Sequence, residues 1–407
     1  MIAAPPGRAT AWAPLRHRVF RLVWLTFLGV QLANWSETVG AVAVISAQSN
    51  SAALLALVQT ASTLPAVALA LPAGVAADLV DRRLLLVGLV GSMCASMALL
   101  AAAVATGTAS PAVVLLGTLI LGSAIALAIP AFASLIPDLV PPEDLAPAVT
   151  LNGISINLAR ALGPALAGAV LALTGATELF VLLAAALAAM ALLLLATPRA
   201  VGAPSGTENG WRAAMRSGVR FARSSAALQA VLARGFAFVV PASALWALLP
   251  AVAVQQLELS SAAFGGVLAA LGSGAVLGAQ LLPRLRARLG LDRLVVFGSV
   301  CGAANLVVLS AVQSTPLALA SLVLGGAAWI AVLSSLNTSA QLAAPAWVRG
   351  RALSVNQLVF AAGMAGGSAA WGLVAHSTSL GAALLIAAGL LVASLAAARR
   401  WSLRGIT

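Results

Sequence analysis

The sequence predicts an all-α membrane protein with twelve transmembrane helices arranged as two pseudo-symmetric six-helix halves. Composition is the first observation behind this prediction: 62% of the 407 residues are hydrophobic and 8% are charged, whereas soluble globular domains carry about 25% charged residues. The mean hydropathy is +1.06. So few charges cannot cover the surface of a water-soluble protein of this length, and most of the chain is therefore expected within a lipid bilayer.

The spacing of the apolar runs is the second observation. The runs are about 20 residues long, which matches a helix that crosses a bilayer, whereas the strands of a membrane barrel alternate over about 10 residues. Short polar breaks separate them. The predicted spans are residues 20–46, 52–77, 84–106, 112–136, 149–173, 177–197, 228–254, 261–283, 293–313, 316–342, 351–375 and 379–398.

An internal repeat is the third observation. Adding 204, half the chain length, to the numbers of residues 148–168 gives residues 352–372, and several residue types coincide. Asn152 then aligns with Asn356, Gly163 with Gly367 and Gly168 with Gly372, and the small residues Ala70 and Gly74 align with Gly274 and Gly278. Two parallel six-helix repeats, related by an axis along the membrane normal, are typical of transporters whose substrate site lies at mid-membrane between the halves.

Five segments follow from these spans. They are an N-terminal tail (residues 1–19), a first bundle (20–197), a linker (198–227), a second bundle (228–398) and a C-terminal tail (399–407). Within the linker, four arginines recur at helical spacing: Arg212, Arg216, Arg220 and Arg223. This pattern predicts a basic amphipathic helix on the membrane surface, which we interpret as a connector between the bundles rather than a regulatory or partner-binding element.

All 22 basic residues are arginines, and the net charge is +12. The arginines cluster in alternate loops and in both tails, while the intervening loops have none. This distribution follows the positive-inside rule, which predicts that both termini are cytoplasmic in a multi-pass protein of a bacterial inner membrane. The positive charge thus reports orientation and does not indicate a nucleic-acid partner.

Several kinds of catalytic chemistry are excluded by composition. Without lysine the chain has no P-loop and no residue for a Schiff base. His17 and His376 are too far apart in the predicted topology for a metal or catalytic cluster, and Cys94 and Cys301 lie inside spans. We therefore expect no enzyme activity, no cofactor, no metal site and no disulfide.

Glu37 is the only one of the ten carboxylates that falls in the interior of a predicted span, because Glu178 lies at the outer end of its span. Asn34 lies three residues before it on the same helix face, with Gln31 and Thr38 beside them. A carboxyl group in such a site can take up and release protons as access alternates between the two sides of the membrane. Glu37 is therefore the predicted proton-coupling residue, and the alternative is a carboxylate in contact with water at the outer mouth.

Arg160 interrupts the apolar stretch 148–168 and has no counterpart in the repeat, because Met364 occupies the equivalent position. An arginine at the centre of a spanning helix costs roughly 2.5–3.5 kcal/mol on insertion scales, so such residues normally face a polar interior. Arg160 is expected to pair either with Glu37 or with an anionic group of a substrate. The alternative is a structural role, in which it bonds carbonyls and polar side chains of the first bundle.

Other polar and aromatic residues inside the spans are candidates for lining a central cavity, although each of them alone occurs more often in packing than in binding. The full set of candidate substrate and cavity residues is Gln31, Asn34, Asn152, Asn157, Arg160, Trp246, Trp329 and Asn356.

The loop between the second and third spans resembles the signature of the major facilitator superfamily, which reads Gly-x-x-x-Asp followed by a basic pair. Here it reads Gly74-x-x-x-Asp78 with Arg82-Arg83, while Asp81 stands where the family often has glycine. The resemblance implies the major facilitator fold and a cytoplasmic gate formed by Gly74, Asp78, Arg82 and Arg83.

Longer strings resemble the branch of that superfamily that includes enterobactin and macrolide exporters. They are residues 136–145, the pattern from Asn152 to Pro164, and residues 347–354 and 360–368 in the second half. Gly163-Pro164-x-x-x-Gly168 is also similar to the antiporter motif of the fifth helix, without its full glycine spacing. The resemblance covers nearly the whole chain and implies export.

Together, the residues and the resemblance predict a monomeric secondary transporter that exports a bulky amphipathic small molecule, drug-like or siderophore-like, against proton entry. The apolar bundle offers few polar groups, whereas the hydroxyls of a sugar need many hydrogen-bond partners. The expected partners are the substrate, protons and the lipid bilayer. Two alternatives stay open: an uptake symporter or facilitator on the same fold, and a transport-inactive membrane scaffold or sensor.

Overall fold

The computed structural model of the chain describes residues 12–49, 51–69, 81–198, 220–345 and 348–401. Helices account for nearly all of these residues, and no strand occurs among them. In chain order the helices are α1 (Arg18–Ser46), α2 (Ala52–Ala68), α3 (Arg82–Ala105), α4 (Pro111–Leu139), α5 (Leu145–Leu173), α6 (Ala176–Leu195), α7 (Ala226–Ala251), α8 and α9 (together Ser261–Ala311), α10 (Thr315–Ala343), α11 (Arg349–Ser377) and α12 (Leu380–Arg400). Short 3₁₀ turns precede α1 (Ala13–Arg16) and α5 (Pro142–Asp144), and a π-helical turn (Val252–Gln256) follows α7.

Gly290 separates α8 (261–289) from α9 (291–311) without an intervening loop. Its φ of 73° and ψ of 170° lie outside the helical region, and glycine adopts a positive φ at no steric cost. The chain therefore turns sharply at a single residue. Leu282 and Leu294, on either side of the turn, are buried in the same apolar cluster.

The arrangement confirms the predicted fold class, because the described residues form twelve helices in two related halves. The repeat is visible in the helix bounds: adding 204 to the bounds of α4 and α5 gives those of α10 and α11. The first residue of α6 maps in the same way onto the first residue of α12. These three pairs of helices have therefore kept a common register.

Eight continuous helical stretches of the described chain are long and apolar enough to cross a bilayer, with the joined α8 and α9 counted once. The described parts of α2 and α12 are shorter apolar helices. α1 is 29 residues long but less apolar, because its middle carries Gln31, Asn34 and Glu37. The chain is a multi-pass membrane protein, and large apolar side chains such as Leu99 and Leu173 are exposed on its outer surface.

The helix bounds define two ends of the molecule. α1 begins and α12 ends at the arginine-rich end, where Arg82, Arg83 and Arg234 also lie. α1 ends and α2 begins at the opposite, arginine-poor end. The arginine-rich end is the one predicted to face the cytoplasm. The linker helix predicted around Arg212 and Arg216 falls mostly outside the described residues.

The two halves pack on each other through small residues near the arginine-poor end. Between α5 and α8, a side chain at Gly168 or at Gly265 would overlap the backbone of the other helix. Between α11 and α2, a Cβ at Gly372 would lie 2.9 Å from the Cβ of Ala56. Helix backbones approach this closely only where the side chains are small. Because Gly168 and Gly372 are equivalent positions of the repeat, the two contacts are related by the pseudo-symmetry.

A third close approach lies within the second half and involves the small-residue pair predicted on α8. A side chain at Gly274 would overlap the carbonyl group of Val323 on α10. A Cβ at Gly278 would lie 2.7 Å from the Cα of Ala327. This confirms that Gly274 and Gly278 let two helices pack closely, while Ala70 and Gly74 lie outside the described residues.

At the arginine-rich end, the ion pairs among the described residues each lie within one half. Arg82 on α3 pairs with Asp138 on α4 across 3.2 Å, and Arg234 on α7 pairs with Asp292 on α9. Asp144, at the start of α5, pairs with Arg16 at 2.9 Å. These pairs hold helices together inside each bundle, whereas the glycine contacts that join the bundles lie towards the other end.

Asp144 anchors the segment before α1 to the start of α5. Its buried carboxylate lies 2.8 Å from Nε2 of His17 and accepts a hydrogen bond of 2.9 Å from Nη2 of Arg16. The hydrogen bond with His17, and then the positive charge of Arg16, lower the pKa of Asp144 although burial opposes them. A carboxyl group whose pKa is lowered by folding stabilises the folded state above its unfolded pKa. That stability is lost as the pH falls through the folded pKa.

We expect Asp144→Asn to lower the melting temperature of the purified protein at pH 7, because the charged contact with His17 and Arg16 is lost. The difference from wild type should begin to shrink as the pH falls below the unfolded pKa of about 4, and it should vanish below the lower folded pKa, where the folded wild-type carboxyl group is protonated too. Melting curves over this pH range measure the effect. Glu143→Gln, at the exposed neighbouring carboxylate, is the matched control. A difference for Asp144→Asn that does not change with pH would contradict the role of the charge.

We expect Gly265→Val to open the arginine-poor end, because the new side chain has no space against α5. Overpacking of this kind costs about 1–3 kcal/mol, enough to shift a two-state equilibrium by about fivefold to a hundredfold. Gly266→Val is the matched control, since a Cβ at Gly266 meets nothing within 4 Å. Spin labels at the exposed Thr106 and Gln313, in a protein whose two native cysteines are replaced, report the distance between the halves. Equal distance distributions in the two variants would contradict the packing argument.

Candidate functional site at the contact between the halves

A chain of aromatic rings crosses from the first half to the second. The ring centroids of Trp35 on α1 and Trp246 on α7 are 5.8 Å apart, and those of Trp246 and Trp329 on α10 are 5.4 Å apart. Trp329 also contacts Phe238 at 5.8 Å and Phe360 at 6.1 Å. The rings meet in tilted or edge-on geometry, the favourable arrangement at these distances. We call these five residues the aromatic bridge.

Arg160 lies at the first-half end of the aromatic bridge. Its Cζ atom is 5.2 Å from the ring centroid of Trp35, which is the geometry of a cation–π contact. Close packing of α5 on α1 fixes this position, because a Cβ at Gly163 would lie 2.9 Å from the Cβ of Trp35. The hydroxyl group of Ser36 donates a hydrogen bond of 2.9 Å to the carbonyl group of Gly163. Gly163, one turn after Arg160, thus determines where the arginine meets the ring.

Three buried polar atoms beside the aromatic bridge have no hydrogen-bond partner among the described residues. They are Oε1 of Gln31, Nε of Arg160 and Nε1 of Trp246. Gln31 precedes Trp35 by one helical turn and shares its face of α1. A buried polar atom without a partner costs about 1–3 kcal/mol, so such atoms are rare unless they have a role. Their concentration beside the aromatic bridge identifies it as the candidate binding site.

A small cavity adjoins the aromatic bridge between α1, α2, α7 and α8. Its wall includes Trp35 and Trp246, with Thr38 and Gln59 as polar residues and Phe264 as an apolar one. It has room for about one or two water molecules. Because Phe264 and Thr38 lie towards the arginine-poor end, the cavity lies near the glycine contacts that join the halves.

The structure brings together only some of the residues predicted to line a cavity. Arg160, Trp246 and Trp329 belong to one constellation, and Gln31 adjoins it. Asn356 instead donates a hydrogen bond of 3.1 Å to Oδ1 of Asn337, inside the second half.

Among the described residues, the remaining predicted asparagines form no hydrogen bond with the aromatic bridge. Asn157 donates to the carbonyl group of Gly153 one turn earlier on α5, at 2.9 Å. Asn34 and Asn152 are partly buried. Their assignment as cavity residues stays a prediction.

Sequence reasoning missed three members of the aromatic bridge: Trp35, Phe238 and Phe360. A signal was present for Trp35, which follows Gln31 by four residues and therefore shares a helix face with it. No comparable signal exists for Phe238 or Phe360, because an apolar ring inside an apolar helix has the same pattern whether it packs or binds.

Glu37 is buried in the first half, with a relative exposure of 1%. Its Oε1 lies 2.6 Å from the hydroxyl group of Thr118 on α4, and that hydroxyl also lies 3.1 Å from the carbonyl group of Val114. A hydroxyl group has one hydrogen to donate. Both contacts are satisfied together when the carboxyl group carries a proton and donates to Thr118, which then donates to Val114.

Glu37 and Arg160 are not paired, because no ion pair among the described residues joins them. Glu37 follows Trp35 by two residues, so the two side chains lie on nearly opposite faces of α1. The carboxyl group points into the first bundle and the ring towards the second half. The mouth position that was the alternative for Glu37 does not match its burial.

Two of the four predicted gate residues, Gly74 and Asp78, lie outside the described residues. Of the other two, Arg82 pairs with Asp138. Arg83 is buried and donates to the carbonyl group of Leu194 at 3.0 Å and to the hydroxyl group of Thr197 at 3.2 Å. Arg83 therefore caps the C-terminal end of α6, where carbonyl groups without an intrahelical partner favour a cation.

Residues 9–407 match the model of a family described as transmembrane secretion effector. The chain belongs to this family. It is a membrane transporter of the major facilitator superfamily. No curated protein sequence is significantly similar to the chain.

Solved transporters share the fold. The nucleoside transporter NupG is similar over 93% of this chain and 99% of its own, with a TM-score of 0.70 and 15% identity. A bacterial homolog of the human lysosomal transporter Spinster, in an inward-facing and occupied conformation, covers 96% of this chain and 97% of its own (TM-score 0.72, 18% identity). A D-xylose–proton symporter covers 94% and 96% (TM-score 0.72, 17% identity). At these identities the similarity concerns the fold alone.

We expect infrared spectroscopy to detect a protonated carboxyl group at Glu37 near neutral pH, through a carbonyl band that is absent from Glu37→Gln. Thr118→Val should move this band to higher frequency, because the protonated carboxyl group loses the hydrogen bond that it donates to the hydroxyl group of Thr118. Thr26→Val is the matched control, since Thr26 is equally buried but bonds only its own helix at the carbonyl group of Leu22. A band that is missing in wild type, or unchanged in Thr118→Val, would contradict the assignment.

Proposed function

We propose that this transporter exports a bulky amphipathic small molecule from a bacterial cytoplasm by alternating access, coupled to proton entry. The observation that carries the proposal is the aromatic bridge with its three unpaired polar atoms, on Gln31, Arg160 and Trp246. A site made of broad ring faces and a few polar atoms suits a large, mainly apolar ligand that carries a small number of polar groups.

The position of the site supports alternating access. The aromatic bridge spans the contact between the halves, so any movement that separates them parts Trp35 from Trp246 and exposes both rings. The small-residue contacts of Gly168 with α8 and of Gly372 with α2 close the arginine-poor end. Backbone packing without interlocking side chains can separate and re-form with little change of rotamers, which suits a contact that opens in each cycle.

The arginine distribution supports the orientation and the bacterial inner membrane. Arginine clusters occur in both tails and in alternate loops, which is the pattern of cytoplasmic segments. In this orientation the glycine-joined end faces outwards. The resemblance of residues 136–145, 152–164, 347–354 and 360–368 to enterobactin and macrolide exporters supports the outward direction of transport. The predicted gate of Asp78 and Arg82 at the arginine-rich end would latch the halves in the opposite conformation.

Glu37 is the proposed proton site. It is buried, bonded to Thr118, and carried by the same helix as Trp35. A shift of α1 that follows substrate binding at Trp35 therefore moves Glu37 against α4 and changes the surroundings of its carboxyl group. This coupling works through one rigid helix and needs no contact between proton and substrate.

We expect proteoliposomes with the wild-type protein to move protons when an exported substrate is added, and Glu37→Gln to abolish this movement while substrate exchange without a gradient continues. The reason is that the amide group cannot take up a proton. Glu178→Gln, at an exposed carboxylate of the arginine-poor end, is the matched control and should behave as wild type. A pH-sensitive dye inside the vesicles and a labelled substrate provide the two readouts.

The outcomes of this experiment separate the alternatives. Proton and substrate moving in the same direction indicates an uptake symporter, and substrate flux without protons indicates a facilitator. Binding without flux indicates a scaffold or sensor. Coupled export by Glu37→Gln at the wild-type rate would show that Glu37 is not the proton site.

A further inference from the structure

We propose that the substrate carries a negative charge next to an aromatic ring, and that Arg160 and Trp35 together receive this group. The inference rests on the proposed transport function and assigns the charge of its substrate. It starts from the isolation of Arg160, whose guanidinium group makes no hydrogen bond or ion pair within the described part of the chain.

The site has a positive charge that no carboxylate of the described residues neutralises. Arginine stays charged in proteins, and an uncompensated charge inside a membrane protein is costly. Glu37, the carboxylate inside a span, is bonded to Thr118 and lies on the opposite face of α1 from Trp35. The structural alternative for Arg160, hydrogen bonds to carbonyl groups of the first bundle, is not what the described residues display. An anion is the group that this site lacks.

The orientation of Arg160 leaves its donors available. Its Cζ atom lies 5.2 Å from the ring centroid of Trp35, and a cation–π contact of this kind does not need a hydrogen-bond acceptor. The N–H groups point outwards in the guanidinium plane, in the fork that binds a carboxylate or similar anion through two parallel hydrogen bonds. The Nε atom is one of these donors, and it is buried and unpaired.

Trp246 also favours an anionic group at this site. Its ring contacts Trp35, and its unpaired Nε1 atom is also a donor. An anionic group attached to an aromatic ring would place its oxygens on donors of Arg160 and Trp246 while its ring meets the aromatic bridge. A cationic amphiphile, by contrast, would be repelled by Arg160 and find no carboxylate beside the bridge among the described residues.

Binding of three matched probes tests this inference. They are 9-anthracenecarboxylate, its primary amide and 9-(aminomethyl)anthracene, which share the rings and differ in charge. Binding to the full-length protein in lipid nanodiscs is measured by energy transfer from the tryptophans to anthracene, with empty nanodiscs as background. We expect the carboxylate to bind about tenfold or more tightly than the amide, since hydrogen bonds to charged groups are stronger than neutral ones. The ammonium probe should bind most weakly.

Variants of Arg160 test whether this residue causes the preference for the carboxylate over the amide. Arg160→Met introduces the residue found at the equivalent position 364 and should bind the carboxylate and the amide equally. Measurable amide binding also verifies that the variant folds. Arg160→Lys should keep part of the preference, because it keeps the charge and loses the planar fork. Trp246→Phe should weaken carboxylate binding and leave the ring contacts.

Several results would overturn the inference. These are equal wild-type binding of carboxylate and amide, tightest binding of the ammonium probe, no binding of any probe, or a carboxylate preference that persists in Arg160→Met. The wild-type comparison decides the matter even if a variant does not fold. A carboxylate preference without transport of any compound in proteoliposomes would leave the anion site intact and reject the export function, so the two failures are distinguishable.

Discussion

Close approach of helix backbones at small residues determines how the two halves of this transporter meet. In a bilayer, helices gain little from burying apolar side chains, because lipid tails are equally apolar, and association depends on close packing and on polar contacts. Gly163, Gly168 and Gly265 bring α1, α5 and α8 together without side chains between them. The distance between the halves therefore follows from backbone contact. Larger residues at these positions would separate Trp35 from Trp246 and remove the aromatic bridge.

The few polar groups inside the bundle have distinct surroundings because of this packing. Glu37 is enclosed by the first bundle and bonded to a hydroxyl group, whereas Arg160 makes a cation–π contact with Trp35 at the contact between the halves. α1 carries residues of both sites on opposite faces. A rigid helix transmits displacement along its whole length, so the same element can respond to an occupant at one face and alter the environment at the other. The separation of the two groups also prevents Glu37 and Arg160 from forming an ion pair.

Much of the fold was predictable from the sequence, because apolar runs of spanning length and the offset of 204 residues are strong signals. The bounds of α5 and α11, which differ by 204 residues at both ends, confirm the offset. The site was predictable only in part. Arg160 was conspicuous because charge is rare in a spanning helix, and Trp246 was noted for its size. A pairing of Arg160 with Glu37 was among the expectations, and it failed because sequence gives the position of a residue along a helix more readily than the neighbour that it faces.

Apolar residues show the limit of such reasoning most clearly. Phe238 and Phe360 look like any other phenylalanines of a membrane helix, and only the crossing of α7, α10 and α11 brings them to Trp329. The hydrogen bond between Glu37 and Thr118 was equally hidden, since the two residues are 81 positions apart and threonine is common in spanning helices. Tertiary packing, rather than local pattern, selects these partners.

The common register of α5 and α11 gives each residue of one helix an internal reference in the other. Helices that descend from one ancestor and differ by substitution alone can be compared position by position, without relatives from other organisms. Glycine is kept at positions 168 and 372, where both helices contact the opposite half, while position 160 is arginine and position 364 is methionine. The two helices thus share the glycines that pack against the opposite half, and they differ where Arg160 introduces a charge. Comparing the two helices therefore separates the interface positions that serve packing from those that differ in chemical character.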